Sequence, residues 1–153
     1  MLELRPSRPD HPDSLAMIDR VQQYYVELYG GPDSDPLPPA EFAPPRGGFL
    51  IGHEDGVAVA MGGWTFDEGD HATAAKVRRM YVAPEARRRG HAATLLAALE
   101  ADAAAAGATE MILTTGQPQT AAVAFYRDAG YTDIAPHGFY AGVQRAVHLG
   151  KAL

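Results

Sequence analysis

Apolar positions recur along this chain with two different periods, and the switches between them divide it into short elements. Residues 2–5 alternate, which predicts a first strand. Leu15, Ile18, Val21, Tyr25 and Leu28 lie three or four apart, predicting one helical face over residues 14–29, ended by Gly30 and Gly31. Residues 32–47 carry six prolines (Pro32, Pro36, Pro38, Pro39, Pro44 and Pro45), so a loop is expected there, with one helical turn near 40–42. Residues 49–53 and 57–66 read as two strands joined by a Glu54, Asp55, Gly56 hairpin turn. An acidic loop over 66–72 leads to a strand over 75–82. Beyond Gly90, the residues Ala92, Leu95, Leu96, Leu99 and Ala103 share one helical face, and Gly107 stops it. The short apolar run 110–115 reads as a buried central strand. A last helix starts at Pro118, puts Ala122, Phe125, Tyr126 and Ala129 on one side and ends at Gly130; residues 131–134 and 145–150 close the chain as strands. The order mixes hairpins with strand–helix–strand crossovers, so an α/β (α+β) fold is expected, a mixed sheet with helices on both faces.

Composition narrows the function. A length of 153 residues suits one domain, 1–153, around one core. The net charge of −6 weighs against a nucleic-acid partner and is compatible with an amine acceptor. The absence of cysteine excludes disulfides, thiolate metal sites and a cysteine nucleophile. Six scattered histidines lack metal-ligand spacing, so no metal is expected. The N-terminus lacks the pattern of a signal peptide and no stretch has the length of a membrane span, so a cytoplasmic protein without a membrane partner is expected.

The chemistry concentrates between residues 80 and 93. Met80, Tyr81 and Val82 end a strand, Pro84 turns the chain, and Arg87, Arg88, Arg89, Gly90, His91, Ala92 and Ala93 lead into an alanine-rich helix. A helix start offers unpaired N–H groups and the positive end of a dipole, which suits a diphosphate. Gly90 is expected to let the backbone approach it closely, and the arginines to add charge. Read alone, the same residues also fit a solvated basic turn.

The spacing R-x-x-G-x-A after V-x-P resembles the acetyl-CoA loop of the GNAT superfamily of N-acetyltransferases. The run from Gln119 to Tyr131 is similar to that family's N-x-x-A-x-x-x-Y-x-x-x-G-F, with Gln119 in place of asparagine and Tyr131 in place of phenylalanine. The resemblance implies a mostly antiparallel GNAT-like sheet and an acetyl-CoA slot between the fourth and fifth strands, the fifth ending at Thr114 and Thr115. Met80 and Val82 would pair with the pantetheine and acetyl groups, while residues 87–93 would hold the pyrophosphate. Gln119 and Ala122 would lie along the arm. Tyr126 would protonate the leaving thiolate, and the backbone N–H near Met80 would serve as oxyanion donor.

Many relatives place a glutamate base where Lys76 stands here, which leaves Glu68, Asp67, His71 or a water chain as the base. Alternation on the strand would send Arg78 and Arg79 to opposite faces, one of them toward the acceptor or into an ion pair with a neighbouring acid. Trp64, Tyr24, Tyr25, Tyr29, His137, Phe139 and Tyr140 are candidates to line the acceptor pocket or simply to pack. The resulting expectation is acetyl transfer to a primary amine of a small molecule or amino acid, by direct attack in a ternary complex. The alternatives are a protein N-terminal or lysine acetyltransferase and a non-catalytic acyl-CoA sensor. Exposed edge strands leave room for a homodimer.

Overall fold

The structure, a computed structural model, describes residues 1–33, 38–67 and 73–153. Its strands are β1 (Leu2–Pro6), β2 (Gly47–Glu54), β3 (Val57–Phe66), β4 (Ala74–Val82), β5 (Glu110–Gly116), β6 (Thr132–Asp133) and β7 (Ala146–Ala152). They form one sheet in the order β1-β2-β3-β4-β5-β7-β6, antiparallel throughout except for the β4–β5 pair. The helices are α1 (Pro12–Tyr29), α2 (His91–Ala105) and α3 (Thr120–Asp128), with 3-10 turns at Pro39–Phe42 and Pro84–Ala86. The expected strands and helices are all present, and most of the expected acidic loop over 66–72 lies outside the described residues. The sixth strand is shorter than expected, two residues on the sheet edge.

Local chemistry explains the boundaries. α1 begins with a proline in its first turn, and the His11 imidazole accepts the Asp13 N–H. It ends at Gly30, which is left-handed (φ 81°) and returns its N–H to the Val26 carbonyl. The β2–β3 turn uses positive φ at Asp55 and Gly56, as a tight hairpin requires.

Each face of the sheet buries its own apolar set. On one, Met17 and Val21 of α1 pack with Phe42, Phe49, Ile51 and Met61. On the other, Leu95, Leu96, Leu99 and Ala103 of α2 pack with Trp64, Met111, Leu113 and Leu149. Each fully buried leucine here stabilises the fold by roughly 2 kcal/mol. Trp64 does not line a pocket. It is 1% exposed, donates its indole N–H to Asp102 Oδ2 at 2.8 Å, and has Gly48 close against it. A buried indole needs such a partner, and the α2 carboxylate supplies it.

Two irregularities in β4 shape the site. Met61 pairs with Tyr81 and Gly63 with Arg78, so Arg79 and Met80 together oppose Gly62. This is a bulge, and Arg79 takes a left-handed φ of 53° within it. Toward β5, pairing covers Ala74 to Lys76 and then stops, while β5 stays paired with β7 as far as Gly116. Beyond Lys76 the two central strands therefore part into a wedge-shaped slot.

Candidate active site

A groove of about 690 Å³ runs from the slot to the start of α2. Its floor is the end of β4 at Met80, Tyr81 and Val82. One wall is Arg87, Arg88, Gly90, His91, Ala92 and Ala93; the other is Gln119, just before α3, with Ala122 and Tyr126 of α3. Gly90 caps α2 with φ 78° and no side-chain cap bond. Among the described residues, no acceptor takes the N–H groups of residues 88–93. These donors and the positive end of the helix dipole face the groove together, an arrangement fitted to an anion.

Gly90 also meets a backbone requirement of its own. A Cβ there would meet no protein atom within 4 Å, and the left-handed φ by itself favours glycine. Arg87 is tied back to β4, its Nε donating to the Val82 carbonyl at 3.0 Å. Arg89 is turned away from the groove. Its guanidinium pairs with Glu54, which also meets His91 Nε2 at 2.7 Å. The hydrogen bond from His91, with Arg89 beside it, holds the Glu54 carboxyl below the usual carboxylate range.

Where groove and slot join, the Tyr126 hydroxyl lies 3.6 Å from Met80 Sδ. Burial raises the pKa of this phenol above its ordinary value, keeping it protonated well past neutrality. A cavity of about 120 Å³ continues between β4 and β5. Arg78 and Arg79 both line it, contrary to strict alternation, because the bulge inserts its extra residue beside them. Arg78 reaches Thr65 Oγ1 at 3.4 Å and lies over the Phe42 ring. Arg79 pairs with Asp33 Oδ2 at 2.9 Å, and the Tyr140 hydroxyl donates to the other oxygen of Asp33. Thr114 and Thr115 form the β5 wall.

The slot opens on its far side into a mouth of about 300 Å³, bordered by Tyr25, Tyr29, Asp33, Tyr140, Val143 and Arg145. Burial pushes the Tyr25 phenol up to about 12. Gln119 Nε2 donates to the Tyr29 hydroxyl at 2.8 Å, joining the end of α1 to the β5–α3 turn. Tyr24 borders the groove instead of the mouth, and Phe139 is 55% exposed. Asp33 and Arg145 carried no sequence signal, since each stands alone in a loop and reaches the site only through the fold. Of the candidate bases, Glu68 and His71 lie outside the described residues. Asp67 borders a neighbouring cavity that shares Lys76 and Arg78 with the slot.

Lys76 is buried at the closed end of the slot, beside two buried histidines, His137 and His148, whose rings are 4.9 Å apart. Burial, with Lys76 and His148 adding repulsion, brings His137 down to about 4. His148 is lowered by burial and Lys76. Unfolding returns both to about 6.5. Between the two values the unfolded chain binds protons that the folded chain refuses, so stability rises with pH. The melting temperature is therefore expected to fall as pH drops from 6.5 to about 4, and His137→Gln to flatten that part of the profile. A melting series across this window checks it.

Comparison with known proteins agrees with this geometry. Residues 18–131 match the model of the acetyltransferase (GNAT) family. An IAA acetyltransferase of Azospirillum brasilense is 31% identical over 138 residues, covering 90% of this chain and 88% of that protein. A Klebsiella pneumoniae structure classed as an acyl-CoA N-acyltransferase superposes with a TM-score of 0.84 at 27% identity, over 100% of this chain and 98% of that one. PaiA N-acetyltransferase of Thermoplasma acidophilum, solved with coenzyme A, shares the fold at 16% identity and TM-score 0.74, over 100% and 99% of the two chains. No helix among the described residues is long and apolar enough to cross a membrane. With the splayed strands, the open helix start and the family match together, this chain belongs to the GNAT family of acetyltransferases.

Proposed function

We propose that this acetyltransferase moves an acetyl group from acetyl-CoA to a primary amine of a small molecule or amino acid, by direct attack in a ternary complex. The observation that carries the reading is the meeting of the Tyr126 hydroxyl with the β4 bulge at Met80, at the junction of groove and slot. The uncapped start of α2 binds the diphosphate, and Met80, Tyr81 and Val82 lie along the pantetheine arm. The acceptor enters through the mouth, where Tyr25, Tyr29 and Tyr140 offer ring surface and Arg145 a positive charge. A backbone N–H at the Met80 bulge stabilises the oxyanion, and Tyr126 delivers a proton to the departing thiolate. The chain contains no cysteine to carry the acetyl group, which favours direct attack.

The test is thiol release from acetyl-CoA against a panel of aliphatic amines, aromatic amines and amino acids. IAA joins the panel because the Azospirillum relative is named for it. Amine-dependent thiol release with a matching acetylated product is the expected result. Tight acetyl-CoA binding without turnover on any acceptor would instead favour a sensor.

A further inference from the structure

An ammonium acceptor must lose a proton before it can attack, and among the described residues the slot offers no evident group to take it. Among the described residues lining the slot, Asp33 is the one carboxylate, and its two oxygens are engaged by Arg79 and Tyr140. The fourth strand presents Lys76 instead of an acid.

The fifth strand offers another route. Thr114 borders both the slot and the mouth, and its Oγ1 lies 3.1 Å from Nδ1 of His148, its partner across the β5–β7 ladder. The direction of this hydrogen bond follows from a second one. The backbone N–H of His137 points at the same Nδ1 at 3.4 Å, and a backbone amide can only donate. Nδ1 is therefore the unprotonated nitrogen, and the Thr114 hydroxyl donates to it. That orientation leaves the hydroxyl oxygen's lone pairs for a donor in the slot.

We propose that Thr114 and His148 form a proton path that takes the acceptor's ammonium proton out of the slot. The inference rests on the amine-acetylating reading above. An ammonium N–H in the slot donates to Thr114 Oγ, the Thr114 proton passes to His148 Nδ1, and the acceptor becomes a neutral amine. The amine nitrogen bonds to the thioester carbonyl carbon and the C–S bond breaks. The second nitrogen proton reaches the thiolate by way of Tyr126, whose own proton count is unchanged. His148 returns its proton to solvent through Thr114 after the products leave, so one proton is released per amide formed.

The charged groups around His148 suit this cycle. Burial and then Lys76 on β4 disfavour a lasting imidazolium at His148, while the Tyr140 backbone acts in the opposite sense; at the neighbouring His137, Asp67 at the end of β3 opposes the lowering by burial, Lys76 and His148. His148 is thus biased toward the neutral form that can accept a proton.

The experiment uses the best amine of the panel and measures kcat and KM from neutral to alkaline pH. At pH 7, Thr114→Val and His148→Gln should each lower kcat about 30-fold or more, the double variant no further, with Thr114→Ser within about threefold of the parent. Near pH 10, where the acceptor arrives neutral, the deficit should shrink to about threefold or less. KM for acetyl-CoA should hold throughout. An undiminished deficit at alkaline pH, or no deficit at pH 7, overturns the path. If the parent turns over no amine, the amine reading itself fails, and histidine ¹H–¹⁵N spectra then judge the path separately. A proton on His148 Nε2 agrees with it, and a proton on Nδ1 overturns it.

Discussion

Replacing Tyr126 by phenylalanine should lower kcat about 100-fold while leaving acetyl-CoA affinity within about twofold. The ring is 8% exposed and packs against Phe125 and Tyr131, contacts that phenylalanine keeps. What it removes is the hydroxyl at the Met80 bulge, where the thiolate is proposed to leave. Burial keeps this phenol protonated beyond the ordinary tyrosine range, so Tyr126 itself should put no alkaline limb into the parent profile below about pH 10. Single-turnover thiol release beside calorimetric acetyl-CoA binding would separate chemistry from affinity. A kcat that is unchanged at every pH would remove Tyr126 from the mechanism.

Gly90→Val should cost acetyl-CoA binding about 30-fold or more, through a mechanism that can be isolated. A left-handed β-branched residue costs about 1–2 kcal/mol or more, and relieving it turns the N–H groups at the helix start away from their common focus. The Cβ itself meets no protein atom within 4 Å, so backbone strain is the leading cost within the protein. Acetyl-pantetheine, which has no diphosphate, provides the control. The parent should prefer acetyl-CoA strongly over it, and the variant should lose most of that preference while binding acetyl-pantetheine as the parent does. Equal losses for both thioesters would mean that this turn does not hold the diphosphate.

The parts of the site visible in the sequence are those built from neighbours in the chain. The strand, turn and helix start at residues 80–93 form one continuous segment, so its spacing alone carries the geometry. The amphipathic faces of α1 and α2 likewise follow from spacing within single elements. The bulge that brings Arg78 and Arg79 to one cavity is a property of the β3–β4 register, and neither strand encodes it alone. Arg89 looks like part of a basic cluster until the hairpin carries Glu54 to it from 35 positions away. Trp64 has the composition of a pocket residue, but α2 brings Asp102 to its indole and makes it core. The mouth was least legible of all. Asp33 and Tyr140 are 107 positions apart and share one hydrogen bond.

The link between Tyr29 and Gln119 has a consequence for traffic. The Tyr29 hydroxyl lies so close to Gly116 that a methyl group there would collide with it. With Gln119 joined to that hydroxyl, a strut crosses the cleft between the groove and the mouth. On the proposed reading, donor and acceptor each have their own doorway, and neither must vacate before the other arrives. An architecture with two doors favours meeting inside over taking turns.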